Sequence, residues 1–293
     1  MDTNIIYIIV GVAVVFIIYI TFMASKSKKI NQKKGANAQF IQDDEMNAIE
    51  KKAINYGLPL FEYRMEGNIQ GLSEKKINFI EYEGGLRQQW EIFDHDSAIV
   101  RLDMLAELKR SKSQKAYYLV EGLEASARSD EEAQGILTSL LKIAQEYKDE
   151  NPDLKDLEIK DMLMTLVAND AIKPEIPEKY FFDSKEYAKA QKKAIKAIKP
   201  KNVKELYLTY GWDIVRLVAL AKWSFWLGYI SREEMDGYFS QAVSLAEKNG
   251  ESWEEYGVSF LLGRTLDGFD IDDIAGETSY AVHKVLEKQN APF

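Results

Sequence analysis

Residues 5–23, IIYIIVGVAVVFIIYITFM, run nineteen positions without a charge, and Thr21 is the one clearly polar member. A helix rises about 1.5 Å per residue, so this run spans roughly 28 Å, close to a hydrocarbon layer of about 30 Å. The pattern predicts a single membrane helix, marked along its length by Ile5, Ile9, Val14, Ile18 and Phe22. A cleaved signal peptide fits less well: no Lys or Arg precedes the run, and Phe22-Met23-Ala24 is a poor cleavage box. Five lysines follow between Lys26 and Lys34. Positive charge stays on the cytoplasmic side, so the expected topology is an outside N-terminus and a cytoplasmic body. In a bacterium this membrane is the inner one. Residues 24–41 read as a lysine-rich tether.

Beyond residue 41 the pattern turns helical. Asp43-Asp44-Glu45-Met46 opens an amphipathic stretch that ends near Gly57. Ser129 with Glu132 forms a capping-box pattern for a helix to about Lys148. Pro152 suits the first turn of the next helix, to about Ala168. Ser231 with Glu234 and Ser252 with Glu255 repeat the capping pattern, and Gly228 and Gly250 stand where helices end. A helix from about Lys204 to Leu227 is apolar on nearly every face of its second half, so it belongs in the core. Period-two alternation is scarce; residues 76–82 and 90–93 are the best strand candidates, and Gly84-Gly85 reads as a turn. The expected fold is mostly α: an N-terminal transmembrane helix, then a compact helical domain over 42–293 with at most a small β element.

Charge and composition narrow the chemistry. Residues 1–34 hold five lysines against Asp2 alone, which leaves −13 on residues 35–293. A body that acidic is repelled by nucleic acid over most of its surface, so no nucleic-acid partner is expected. The chain has no cysteine and only His95 and His283. Thiolate metal sites are therefore impossible and a histidine cluster is out of reach. The run 267–273 has spaced carboxylates but lacks the glycine and distal glutamate of a calcium loop, and reads as a capped loop before the last helix. No metal and no cofactor are expected. There is no phosphate-binding glycine loop, no GxSxG and no HExxH.

Two constellations remain. Within the long apolar helix, Asp213 and Arg216 sit three apart on one face, with Lys222 beyond them. Charges are seldom buried unpaired, so a structural ion pair is the first reading. A polar site joined by Glu254, Glu255 or Arg264 is the second. Lys185, Lys189, Lys192, Lys196 and Lys199 form a basic stripe opposite Tyr187, Ala190, Ala194, Ala197 and Ile198. The stripe reads first as a solvated face and next as a contact with the anionic inner leaflet.

Gly211-Trp212-Asp213-Ile214-Val215-Arg216, Lys222-Trp223 and Gly228-Tyr229-Ile230-Ser231-Arg232-Glu233-Glu234 together resemble the core of the DUF1266 family. So do Ser252-Trp253-Glu254-Glu255-Tyr256-Gly257 and Phe260-Leu261-Leu262-Gly263-Arg264. Gly71-Leu72 and Trp90-Glu91-Ile92-Phe93-Asp94 resemble its amino-terminal part, so the likeness covers about 70–265. It leaves out the anchor and the lysine-rich segment near 185–204. The resemblance implies a mostly helical bacterial domain without an established activity. Trp212, Trp223 and Trp253 read as core aromatics. The expected role is a membrane-tethered cytoplasmic interaction module with a protein partner, without catalysis. An immunity protein against a toxin at the inner membrane and an enzyme using an Asp/Glu/Arg site are the alternatives.

Overall fold

The computed structural model describes residues 38–73, 78–172, 177–201, 209–250 and 252–286, with residues 25, 26, 28, 29, 31 and 33. The expected membrane anchor, residues 5–23, lies outside the described residues. Among those described, no helix is long and apolar enough to cross a membrane.

Among the described residues, eleven α-helices follow one another between residues 48 and 280. They are α1 Ala48–Tyr63, α2 Phe79–Trp90, α3 His95–Ala106, α4 Lys109–Ser126, α5 Glu131–Glu150, α6 Ile159–Ala168, α7 Lys185–Ile198, α8 Tyr210–Trp226, α9 Arg232–Asn249, α10 Trp253–Leu266 and α11 Ala275–Tyr280. A single π-helical turn, Ala281–Leu286, continues α11. The described residues contain no strand; one isolated bridge pairs Ile41 with Leu72.

Helix α8 is the axis of the fold. All of its residues are buried, as its apolarity on every face requires. α1, α3, α9 and α10 pack around it. Gly211 lets α10 come close: a Cβ there would lie 2.7 Å from the Phe260 nitrogen and 2.8 Å from the Tyr256 carbonyl. Gly263 does the same from the other side, where a Cβ would meet that of Trp212 at 2.5 Å. The main core gathers around α8, and a smaller cluster joins α4, α5 and α6 through Leu123, Leu140, Ala144, Met162 and Leu163.

Several local expectations are corrected. Residues 78–90 are not strand or turn. Phe79, Tyr82, Leu86 and Trp90 recur at helical spacing and form α2, which carries Gly84 and Gly85 on an open flank. Residues 91–93 are coil, opened by Glu91 in the left-handed region. α1 starts at an Asn47–Glu50 capping box and runs past Gly57 to Tyr63, with Pro59 inside it. The cap of α5 is Asp130, which accepts from the amides of Glu132 and Ala133, rather than Ser129. Pro152 opens a 3-10 turn to Leu154, and α6 begins only at Ile159. Gly228 ends α8 with φ of 72°, as expected, whereas Gly250 is extended. α8 begins at Tyr210, and residues 202–208 lie outside the described set. The loop over 267–273 does precede the last helix, but α11 has no side-chain cap.

Candidate functional site

Asp213 occupies the first turn of α8 and Arg216 the next turn on the same face. They form an ion pair through Asp213 Oδ1 and Arg216 Nη2. Asp213 Oδ2 accepts from the Ser111 amide at 2.8 Å, which ties α8 to α4. Arg216 Nε donates to the Trp212 carbonyl at 2.8 Å. The guanidinium lies between two indoles, 4.1 Å from the Trp212 centroid and 5.5 Å from that of Trp90. Only 1% of Asp213 and 7% of Arg216 is exposed. Burial pushes the Asp213 carboxyl above its ordinary value, against the pull of Arg216 and the Ser111 amide. Burial likewise lowers Arg216, opposed by Asp213. An arginine stays protonated through such a shift. Its third nitrogen, Nη1, has no partner among the described residues.

Arg216 opens onto two adjoining cavities of about 660 Å³ and about 290 Å³. Both are lined by Trp90, Arg216, Asp267 and Phe269, so they form one cleft with those four residues at its waist. Asp267 is a hub: it accepts from Trp212 Nε1 at 2.6 Å, Arg110 Nε at 2.6 Å and Gln114 Nε2 at 2.7 Å. Phe269 is half exposed and packs edge-on to Trp212. Arg264 lies 4.9 Å from the Phe269 centroid and 3.8 Å from Asp273. Arg64 lies over Tyr82 and Trp223 at 5.5 Å and 5.7 Å. Three arginines thus each rest on aromatic rings, and the larger cavity's lining contains neither lysine nor glutamate.

The family described as protein of unknown function (DUF1266) matches residues 85–293. The chain belongs to the DUF1266 family. No curated protein and no solved structure matches it. The match starts after Gly71-Leu72 and includes the lysine-rich segment near 185–204, so the sequence-based limits of 70–265 are moved at both ends. Most of the cleft, including Trp90, Trp212, Arg216, Arg264, Asp267 and Phe269, falls inside the DUF1266 region. Arg64 and Tyr82 reach it from the preceding segment.

The structure brings Asp213, Arg216 and Arg264 of this DUF1266 domain to one cleft. It does not bring Glu254 and Glu255 there. Both stand at the opposite end of α10, about 14 Å along the helix from Arg264 by rise per residue. Glu254 accepts from the Lys201 amide at 2.8 Å. Glu255 faces Tyr210, whose hydroxyl is pushed up by burial first and by Glu255 second. Sequence reasoning missed Trp90, Arg110, Asp267 and Phe269, which come from three separate segments. It also missed the partner of Lys222. Glu66 accepts from Lys222 Nζ and Trp223 Nε1, both at 2.7 Å, and from the Tyr82 hydroxyl at 3.2 Å. Lys222 and Glu66 are both sealed from solvent. Among the described residues, no three His, Cys, Asp or Glu side chains converge as a metal would need.

Proposed function

We propose that this DUF1266 chain is a non-catalytic interaction module, held at the bacterial inner membrane by residues 5–23, with its helical body in the cytoplasm and the Arg216 cleft as its recognition face. The composition of that cleft carries the reading. Trp90, Trp212, Trp223, Arg64, Arg216 and Arg264 line its larger cavity without a lysine or a glutamate, in a chain of which 29% is charged. Protein interfaces are enriched in aromatics and arginine and depleted in lysine and glutamate, and their binding energy concentrates on Trp, Tyr and Arg. Arg216 is locked by Asp213 and two indoles, which removes most of the ordering cost of using it in recognition. Its Nη1 offers a donor to a partner's carboxylate, and the exposed face of Phe269 offers a ring to a flat apolar side chain.

The two buried carboxylates of the cleft support binding over catalysis. Acid–base work needs a carboxyl free to exchange a proton at a substrate. Asp213 is held by Arg216 and Ser111, and Asp267 by three donors.

A photo-reactive phenylalanine analogue in place of Phe269, in the full chain expressed in its own host, tests the reading. The expected result is a discrete protein adduct that disappears when Trp90 is changed to Ala. The same analogue at Tyr147, exposed on α5, should give none. Adducts of equal yield at both positions, or none at 269, would contradict the proposal.

A further inference from the structure

Helix α7 and its C-cap carry six lysines against one glutamate. Ser184 caps it by accepting from the Tyr187 amide, and it runs to Ile198. Tyr187, Ala190, Gln191, Ala194 and Ile198 are buried against the body, chiefly on α10. At 100° per residue, Lys185, Lys189, Lys192 and Lys196 fall on the opposite side, and Lys193 stands beside them. Lys199 follows as the left-handed C-cap. All six are exposed, and the one exposed carboxylate on the helix is Glu186. None of the six has an ion-pair or hydrogen-bond partner among the described residues. Elsewhere some lysines find carboxylates, as Lys52 with Glu247, Lys112 with Asp170, Lys160 with Glu124 and Lys179 with Glu132, while Lys51, Lys115, Lys155 and Lys248 have none among the described residues but stand singly rather than as a stripe. A face that is merely solvated is usually laced with both signs. This one carries six lysines against Glu186 alone, on a body whose sequence is −13 over residues 35–293.

From this unpaired face we infer that α7 docks on the anionic surface of the membrane, a step that rests on the tether reading of residues 5–23. The anchor supplies proximity, and charge supplies orientation. An anionic leaflet repels the acidic remainder of the body and attracts this basic face, within about a Debye length of 10 Å. The contact is peripheral: α7 presents no apolar residue on its outer side, so nothing inserts. Docking would turn the rest of the body, with its cleft, into a fixed orientation relative to the bilayer.

The absence of cysteine makes the test direct, because one introduced cysteine gives one label. The full chain is labelled with a fluorophore at Lys193→Cys on α7 or, as control, at Lys142→Cys on α5. Each form is reconstituted into vesicles of phosphatidylcholine alone or mixed with phosphatidylglycerol, both containing a headgroup-labelled acceptor lipid. Energy transfer from the α7 label should be at least about twofold higher in the anionic vesicles, should fall as salt is raised, and should drop to the neutral-lipid value when Lys185, Lys189, Lys192, Lys196 and Lys199 are all changed to Gln. The α5 label should not follow lipid charge. Unchanged circular dichroism of the five-Gln chain excludes unfolding as the cause. A chain that floats with both vesicle types but shows no response at α7, or an equal response at α5, overturns the docking and leaves the tether standing. A chain that floats with neither overturns the tether, and the docking with it.

Discussion

In the cleft, Arg216 lies between Trp90 and Trp212 with Asp213 and a backbone carbonyl on two of its nitrogens. On α7, Lys189, Lys192 and Lys196 stand in solvent with no carboxylate among the described residues to hold them. The two regions use positive charge for different ends. A buried, stacked and paired guanidinium has one geometry, and its position is part of the shape of the protein. It also has to be paired, because an isolated buried charge is costly. An exposed, unpaired ammonium has no fixed geometry and acts only through its field, which salt removes. The cleft therefore suits recognition of a specific group, and the α7 face suits attraction to a broad anionic surface.

Substitutions that break the comparison should rank by burial. Lys222→Ala leaves the Glu66 carboxylate buried without its counter-ion and should cost about 3–5 kcal/mol, read by denaturant unfolding of the full chain in detergent. Changing both, as Lys222→Met with Glu66→Gln, should restore much of that loss, since Trp223 and Tyr82 still have an acceptor. An equally large cost in the pair would show that the charges are not coupled. Next comes Trp212→Phe, which keeps a ring beside Arg216 but removes the indole N–H from Asp267; about 2 kcal/mol is expected for a bond to a charged acceptor. The five α7 lysines changed to Gln should alter stability by less than about 0.5 kcal/mol, because nothing in the fold holds them. A substantial destabilisation would mean that the stripe is structural.

The smallest effect is expected at His95, on the surface between α3 and α9. Its ring bonds Asp96 through Nδ1 at 3.0 Å and Glu234 through Nε2 at 2.7 Å, and both raise its pKa, Asp96 the more. Glu234 is lowered to about 2, first by His95 and then by the Ser231 amide. A raised histidine contributes stability that is complete below its unfolded value, near 6.5, and lost as pH rises through the folded one. A depressed carboxyl contributes above its unfolded value, near 4.5, and loses it as pH falls toward 2. The contact should therefore be at its fullest between about pH 4.5 and 6.5. Proton NMR should find His95 titrating above a free histidine, and closer to it in Glu234→Gln. No change in that variant would remove Glu234 as a cause.

What the sequence makes legible is local. Asp213 and Arg216 stand out because two charges three apart interrupt a helix apolar on all sides, and both are buried as a pair. The α7 stripe is legible for the same reason, since one helix decides it. Glu66 is invisible beside Lys222 because 156 positions separate them. Trp90, Asp267 and Phe269 come from a helix end and a loop, and only the packing of α2 and α10 against α8 brings them together. Glu254 and Glu255 mislead in the opposite way: they lie within the same motif region as Arg264, yet the length of α10 carries them to its other end. Residues 76–82 read as strand because Ile77-Asn78-Phe79 and Ile80-Glu81-Tyr82 each alternate apolar with polar. The longer run, through Leu86 and Trp90, has helical period and decides the structure.

Asp213 fixes a charged Arg216 as the preformed anchor of the cleft. A double-mutant cycle on the full chain, unfolded in denaturant, tests it most directly. Asp213→Ala and Arg216→Ala should each cost about 3–5 kcal/mol, because each strands a buried charge. The double variant should cost at least about 1 kcal/mol less than their sum, since no stranded charge remains. Losses that add within about 0.5 kcal/mol would show two independent residues and contradict the account.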